Sequence, residues 1–308
     1  MIQSVRCIIN RLSERIGPMK FQNILFPTDF SDLSRSCEGY VRKMMEHFGS
    51  RLHVFHAVEV PATFYGVPGE YFGETIDARK LQDFAENTLR GIYPDLSVQR
   101  IVRIGDPARL IAEYVEENNI DLVMIPTHGY GPFRRALIGS TTAKVLHDVE
   151  CAVWTIAHEP KPFESKLCCQ RIVCDIDIVP ESVNLIRKAA DFAESFEAKV
   201  WLAHTVAKVH TMGDEFGLGG THSEWAINLQ NYYVDFAVRE IAKLQQEAGT
   251  HFEVSIEPGV ISTAAAQIAR ARDADLVIIG RSSHGWFSGF RSHAYPIVHE
   301  SPCPVLSL

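Results

Sequence analysis

The 308-residue sequence has no run approaching the roughly 20 apolar residues of a bilayer-crossing helix, which argues against a membrane protein and against a membrane as partner. Basic charge is also short. Thirty Lys and Arg stand against 38 Asp and Glu, giving a net charge of -8 and a pI near 5.9, the wrong sign for a partner made of phosphate backbone. Nucleic acid is therefore not expected either. The seven cysteines, an odd number, form no CxxC pair and no CxxC…HxxxH spacing, so neither a disulfide framework nor a zinc site is indicated, and a reducing, cytoplasmic setting fits. Adjacent Cys168 and Cys169 bridge only with strain and read as a solvated linker pair. Among 13 histidines, His204, His210 and His222 surround the glycine-rich stretch 213–220, but none has metal-ligand spacing. Residues 1–18 lack the long apolar core of a secretion signal. Their Arg6, Arg11 and Arg15 among Val5, Ile8, Ile9 and Leu12 make a weakly amphipathic stretch, read as a loose extension before a start at Met19 rather than as a transit peptide.

What is present is a chain written twice. Asn23–Asp29 aligns with Arg171–Asp177, and Leu52–Val58 with Val200–Val206, so that Asp29/Asp177 and His56/His204 share an offset of 148. Later, Gly105 with Asp121–Pro126 matches Gly259 with Asp275–Gly280, and Cys151–Ile156 matches Cys303–Leu308. Hydrophobic residues at 46% and a mean hydropathy of -0.03 supply two globular cores. Within each copy, short apolar runs alternate with segments of helical period, the pattern of parallel strands joined by crossover helices. Strands are expected near 22–27, 51–58, 97–103, 121–126 and 152–157, and again near 170–175, 199–206, 252–257, 275–280 and 304–308. Ser31 or Asp32 caps the first helix, and Asp106-Pro107 starts another. The fold class is thus α/β: two Rossmann-like domains, each a five-stranded parallel sheet flanked by helices. The expected division is an extension 1–18, a first domain 19–158, a charged, proline-bearing linker 159–169 and a second domain 170–308.

In open parallel sheets ligands sit beyond the carboxyl ends of the strands, so the turns after strands one and four carry the functional interest. The first turn is Pro27-Thr28-Asp29-Phe30-Ser31. The second, Pro126 to Thr141, bears His128, Gly129, Gly139 and Ser140 and runs into a helix expected over Thr142–Asp148, with Ser140 a good N-cap. Such a loop can aim backbone N–H groups and a helix N-terminus at phosphate. Lys144 stands five residues after Gly139, so this is no Walker A loop. Arg134 and Arg135 are either phosphate donors or solvated loop residues.

With both turns inside a domain-sized repeat, the chain resembles a tandem universal stress protein over nearly all of residues 20–308. The family signature G-x2-G-x9-G-[ST] is matched by Gly129, nine residues, Gly139 and Ser140, with Pro126 in place of the first glycine. The resemblance implies an adenine-nucleotide-hydrolase-like fold and ATP, alone or with Mg2+, as ligand of the first copy. By the same resemblance Asp29 and the backbone around Thr28 and Ala57 hold the adenosine part, while Gly129, Gly139, Ser140 and Thr141 hold ribose and phosphates. Pro27, Pro126 and His128 complete the set. The domains would pair through Val153–Ile156 and Val305–Leu308, and two chains would pair again as a homodimer.

Copy two keeps Asp177 and has Gly280 at the first glycine, but Arg291-Ser292 occupies the Gly-Ser position, only five residues after Gly285. A loop shortened by four residues and lacking that glycine is expected to be degenerate for ATP. The expected function is a nucleotide-binding stress-response or signalling module, a binder before an enzyme. A slow ATP hydrolase is one alternative, with only Asp29 and His128 as candidate bases. Another is a nucleotide-independent interaction module with an unidentified protein partner and another small ligand, or none, in the copy-two pocket, its aromatics Phe64, Tyr65, Tyr71, Phe72, Phe216 and Trp225 either covering a ligand or partner or packing inward.

Overall fold

Strands that are apolar on both faces need cover on both sides, and the chain supplies it by alternating them with amphipathic helices. The computed structural model describes residues 19–59, 78–127, 138–156, 169–209, 224–281 and 289–308, with backbone alone at 78 and 289–293. The first half runs β1 (Asn23–Pro27), α1 (Asp32–Phe48), β2 (Arg51–Val58), α2 (Ala78–Arg90), β3 (Gln99–Ile104), α3 (Pro107–Glu117), β4 (Leu122–Pro126), α4 (Ser140–Asp148) and β5 (Ala152–Ile156). The second repeats it with β6 (Arg171–Asp175), α5 (Ser182–Ser195), β7 (Lys199–Val206), α6 (Glu224–Ala248), β8 (Glu253–Pro258), α7 (Ile261–Ala271), β9 (Leu276–Ile279), α8 (Gly289–Glu300) and β10 (Val305–Ser307). Every strand expected from the repeat is present. No helix among the described residues is long and apolar enough to cross a membrane.

All ten strands form one sheet in the order β3-β2-β1-β4-β5-β10-β9-β6-β7-β8. Pairing is parallel within each half and antiparallel only at the seam, where Thr155, Trp154 and Val153 of β5 face Val305, Leu306 and Ser307 of β10. Thr155 Oγ1 donates to the Val305 carbonyl across that seam at 3.2 Å. In each half the chain order reverses beside the first strand, between β1 and β4 and between β6 and β9, which opens a crevice at the carboxyl edge.

Local chemistry fixes the helix starts. Ser31 caps α1 by accepting from the Ser34 N–H at 3.1 Å, and Gly49 (φ 66°) ends that helix in the left-handed region. Asp106 caps α3, accepting from the Arg109 N–H at 2.9 Å, with Pro107 in the first turn where its missing N–H costs nothing. Three expectations need correction. Helix α4 begins at Ser140, not Thr142, and its N-cap is Gly139, not Ser140, with no side-chain cap. The Gly139 N–H donates to the Thr127 carbonyl at 2.9 Å, so the strand end seats the glycine and Ser140 falls one position inside the helix. Cys169 is 1% exposed in the core rather than solvated, because the chain is already entering β6 there and a thiol packs as a small apolar group.

The main core runs across the seam. Phe48, the last residue of α1, and Phe196, its counterpart 148 residues on, meet edge to face with centroids 5.8 Å apart. His47 stacks on Phe196 at 4.0 Å, and Phe192 lies 6.1 Å from Trp154 and 6.3 Å from Phe48. Phe192 and Trp154 are buried in the same cluster as strand residues of both halves. Truncating Phe192 to Ala is expected to cost about 3–5 kcal/mol, measured as a lowered urea midpoint. A loss under about 1 kcal/mol would mean that the seam is not packed as described.

Candidate functional site

The β1 exit turn is built from its own side chains. The Thr28 N–H extends the ladder to β2 by donating to the Phe55 carbonyl at 2.8 Å. Thr28 Oγ1 then accepts from the Phe30 N–H at 3.1 Å and from Ser34 Oγ at 2.8 Å, and Asp29 Oδ1 accepts from the Ser31 N–H at 3.0 Å. These short-range bonds hold Phe30 at φ 63°, a costly conformation for a bulky residue that persists only where neighbours over-determine it. One such neighbour is His56, whose ring stacks on Phe30 with centroids 4.1 Å apart.

His56 Nδ1 lies 2.8 Å from the Thr28 carbonyl, and in copy two His204 Nδ1 lies 2.8 Å from the Ile176 carbonyl, again 148 residues on. A carbonyl only accepts, so both rings carry the proton on Nδ1. Burial pushes the His56 pKa down, opposed by the hydrogen bond to Thr28 and the charge of Asp29. The repeated histidines therefore pin the exit turn of each half's first strand to its neighbour strand.

Pro27, Thr28 and Asp29 stand at the end of β1, and Ala57 is in adjacent β2, over the cluster beneath α3 and α4. Pro126 ends β4, the other neighbour of β1. Thr142 Oγ1 donates to the Pro126 carbonyl at 2.9 Å, and this bond together with the Gly139–Thr127 contact clamps the start of α4 to the strand end. Gly139, Ser140 and Thr141 thus open α4 at the same sheet edge. Gly139 has no side chain with which to cap α4, so the N-cap itself takes none of the helix's first-turn N–H groups. His128, Gly129, Arg134 and Arg135 lie outside the described residues, as do Phe64, Tyr65, Tyr71, Phe72 and Phe216. Trp225, of the same aromatic group, is in α6 and 65% exposed. Lys144 turns away toward Asp106, 3.4 Å from its carboxylate. Sequence reasoning missed Thr127 and Thr142: Thr142 clamps through its hydroxyl, but Thr127 does so through its backbone carbonyl, which no residue type signals.

Copy two departs at the matching places. Asp175 stands where copy one has Pro27, and by strand alternation it shares the face of Val173, toward α7 and α8. Burial, and secondarily the charge of Asp177, pushes its carboxyl up to about 8. Arg281 follows Gly280 where copy one has Thr127, and each backbone N–H donates to the end of its own half's last strand, at 2.8 Å to Leu308 and 3.2 Å to Ile156.

A ten-stranded sheet whose halves each reverse strand order beside their first strand defines a tandem, doubly wound α/β protein. The universal stress protein family model matches residues 20–157 and again 169–308, and the chain belongs to that family. A universal stress protein of Methanocaldococcus jannaschii is 26% identical over 152 residues, covering 48% of this chain and 88% of the relative. Among solved structures, a universal stress protein from Archaeoglobus fulgidus covers 94% of this chain and 97% of its own, with a TM-score of 0.63 at 18% identity. One from Pseudomonas aeruginosa aligns over 94% of this chain and 93% of its own, with a TM-score of 0.56 at 16% identity. At these identities the structural likeness speaks to fold.

The raised carboxyl of Asp175 makes a prediction about pH. The folded state holds this proton more tightly than the unfolded chain, so stability falls as pH rises from about 4 through about 8. Asp175→Asn is expected to flatten that decline and to gain about 1–2 kcal/mol at pH 8.5, read from urea midpoints across the pH series. Parallel curves for variant and wild type would refute it.

Proposed function

We propose that the first half binds an adenine nucleotide of the ATP type and that the chain works as a nucleotide-dependent stress-response module. The observation that carries this reading is the side-chain-uncapped N-terminus of α4, opening at Gly139 on the same sheet edge as the ordered Thr28-Asp29 turn. A helix start of this kind suits phosphate oxygens, and the oriented Asp29 carboxylate suits a nucleoside donor group. ATP, with or without Mg2+, fits these residues: Pro27, Thr28, Asp29 and Ala57 would face the nucleoside, and Gly139, Ser140 and Thr141 the phosphates. His128, Gly129 and Pro126 belong to the same proposed set through the signature. The nucleotide would supply a ligand-dependent signal, and the chain's own residues bind and orient it.

The second half, in this reading, does not take ATP. Asp175 replaces Pro27 at its strand exit, the position of Phe30 is taken by Ile178, and Arg281 is occupied elsewhere. Titration calorimetry should give one ATP site per chain, abolished by Gly139→Trp, whose indole would fill the space before α4. Mass spectrometry of nucleotide released from the purified protein is the companion measurement. Two sites per chain would overturn the asymmetry, and no binding to wild type would overturn the nucleotide reading.

A second reading, self-association of the chain, draws on α6. Trp225, Leu229, Tyr232 and Phe236 recur at intervals of four, three and four on one stripe away from buried Ala237 and Ile241, with Trp225, Tyr232 and Phe236 exposed by 65%, 57% and 43%. That spacing reads the same in both directions, so two copies can pair antiparallel. With Tyr233, the aromatics expose on the order of 400 Å2, about half of one partner's share of a standard interface. Trp225→Glu is expected to convert a micromolar dimer to monomer in sedimentation velocity. A wild-type monomer at 100 micromolar would remove this reading.

A further inference from the structure

The clearest asymmetry between the halves lies at the exit of β9, where Arg281 reaches out of its own domain. Its Nη1 donates to the Cys151 carbonyl at 2.6 Å, while Nη2 donates to the carbonyls of Leu146, at 2.7 Å, and of Val149. Leu146 is in the last turn of α4 and Val149 is its C-cap. A cationic fork on carbonyls that a helix end leaves without intrahelical partners satisfies them and complements the negative end of the helix dipole. The matching residue of the first half, Thr127, is too short for any reciprocal reach.

Side-chain packing runs the same way. Ile138, Ala143 and Leu146, in and just before α4, pack into the cluster formed by Val298, Cys303 and Val305 of the second half. Helix α4 is thus clamped at its start by its own domain, through Gly139 and Thr142, and at its end by the other domain, through Arg281. A nine-residue helix held at both ends moves as a rigid piece, so a shift at its C-terminus is passed to its N-terminus.

We propose that Arg281 of the second half is a positioning residue for the phosphate end of the first half's nucleotide site, acting through α4. The inference rests on the nucleotide reading above. It assigns the second half a task other than binding ATP, which is to set the pitch of the helix that receives the phosphates. Loss of the guanidinium releases the end of α4, tilts its first-turn N–H groups and weakens phosphate contacts, while the β1 exit turn, held by Thr28, Ser34 and His56, is untouched.

The test compares ATP with adenosine by calorimetry in wild type, Arg281→Ala, Arg281→Lys and Phe196→Ala. The last variant loosens the seam where Phe196 meets His47 and Phe48 and has no part in the α4 contacts. Arg281→Ala should weaken ATP roughly tenfold with adenosine affinity unchanged, Arg281→Lys should recover part of the loss, and Phe196→Ala should lower the melting temperature without changing the ATP-to-adenosine ratio. An unchanged ratio in Arg281→Ala, or an equal fall of ATP and adenosine, would overturn the proposal. If wild type binds neither ligand, the site reading fails by itself, and amide exchange over residues 140–143 in the unliganded proteins decides the positioning role. Faster exchange in Arg281→Ala than in wild type and Phe196→Ala supports it, and equal exchange overturns it.

Discussion

Pairing of β5 with β10 is the constraint on which the rest of the molecule depends. Each half is a parallel sheet with one edge at its last strand, and an open edge exposes a row of unpaired N–H and C=O groups. Three residues on each side close both edges at once. Because the contact is antiparallel, it relates the halves by an approximate two-fold, which brings the ends of α1 and α5 together and creates the Phe48–Phe196 contact. One hydrogen-bonded seam therefore determines the shared core and the neighbourhood of α4.

Much of this was legible in the sequence, because the governing signals are local or repeated. Apolar runs such as Ile24–Phe26 and Leu122–Ile125 mark strands buried on both faces, and Ser31 and Asp106 mark helix starts through bonds spanning three residues. The repeat doubled every such signal. What could not be read depends on partners distant in the chain. Gly139 displaced Ser140 as N-cap because a strand end supplied the Thr127 carbonyl. Cys169 proved internal because its neighbours come from the assembled core. The partners of Arg281 lie 130 to 135 residues away, so nothing local marks that residue. The β1 exit turn falls between: its Thr, Asp and Ser bonds are local and readable, whereas the left-handed Phe30 needs His56 from β2 to make sense.

The two copies differ where their symmetry could have been kept at no cost to folding. The first two strands, the end of the first helix and the turn histidines recur at an offset of 148, and even the left-handed residue after the first helix recurs, as Gly49 and Glu197. Differences gather at the carboxyl edge, where Pro27 becomes Asp175 and Thr127 becomes Arg281. Burial raises the Asp175 carboxyl to about 8 where the first half has a proline, and the Arg281 guanidinium reaches out of its own domain to carbonyls of the other.

Joining the halves in one chain has a consequence for what substitution can do. In a dimer of identical subunits, every amino-acid change is written into both sites and onto both sides of the two-fold. Here a change is written once. An arginine useful only when it reaches from the second half to the first would, in an identical pair, also have to be tolerated in the reverse direction, at the start of the loop we propose receives the ligand. Covalent linkage removes that obligation, so one half can lose a site and become part of the other's scaffold without the molecule losing both.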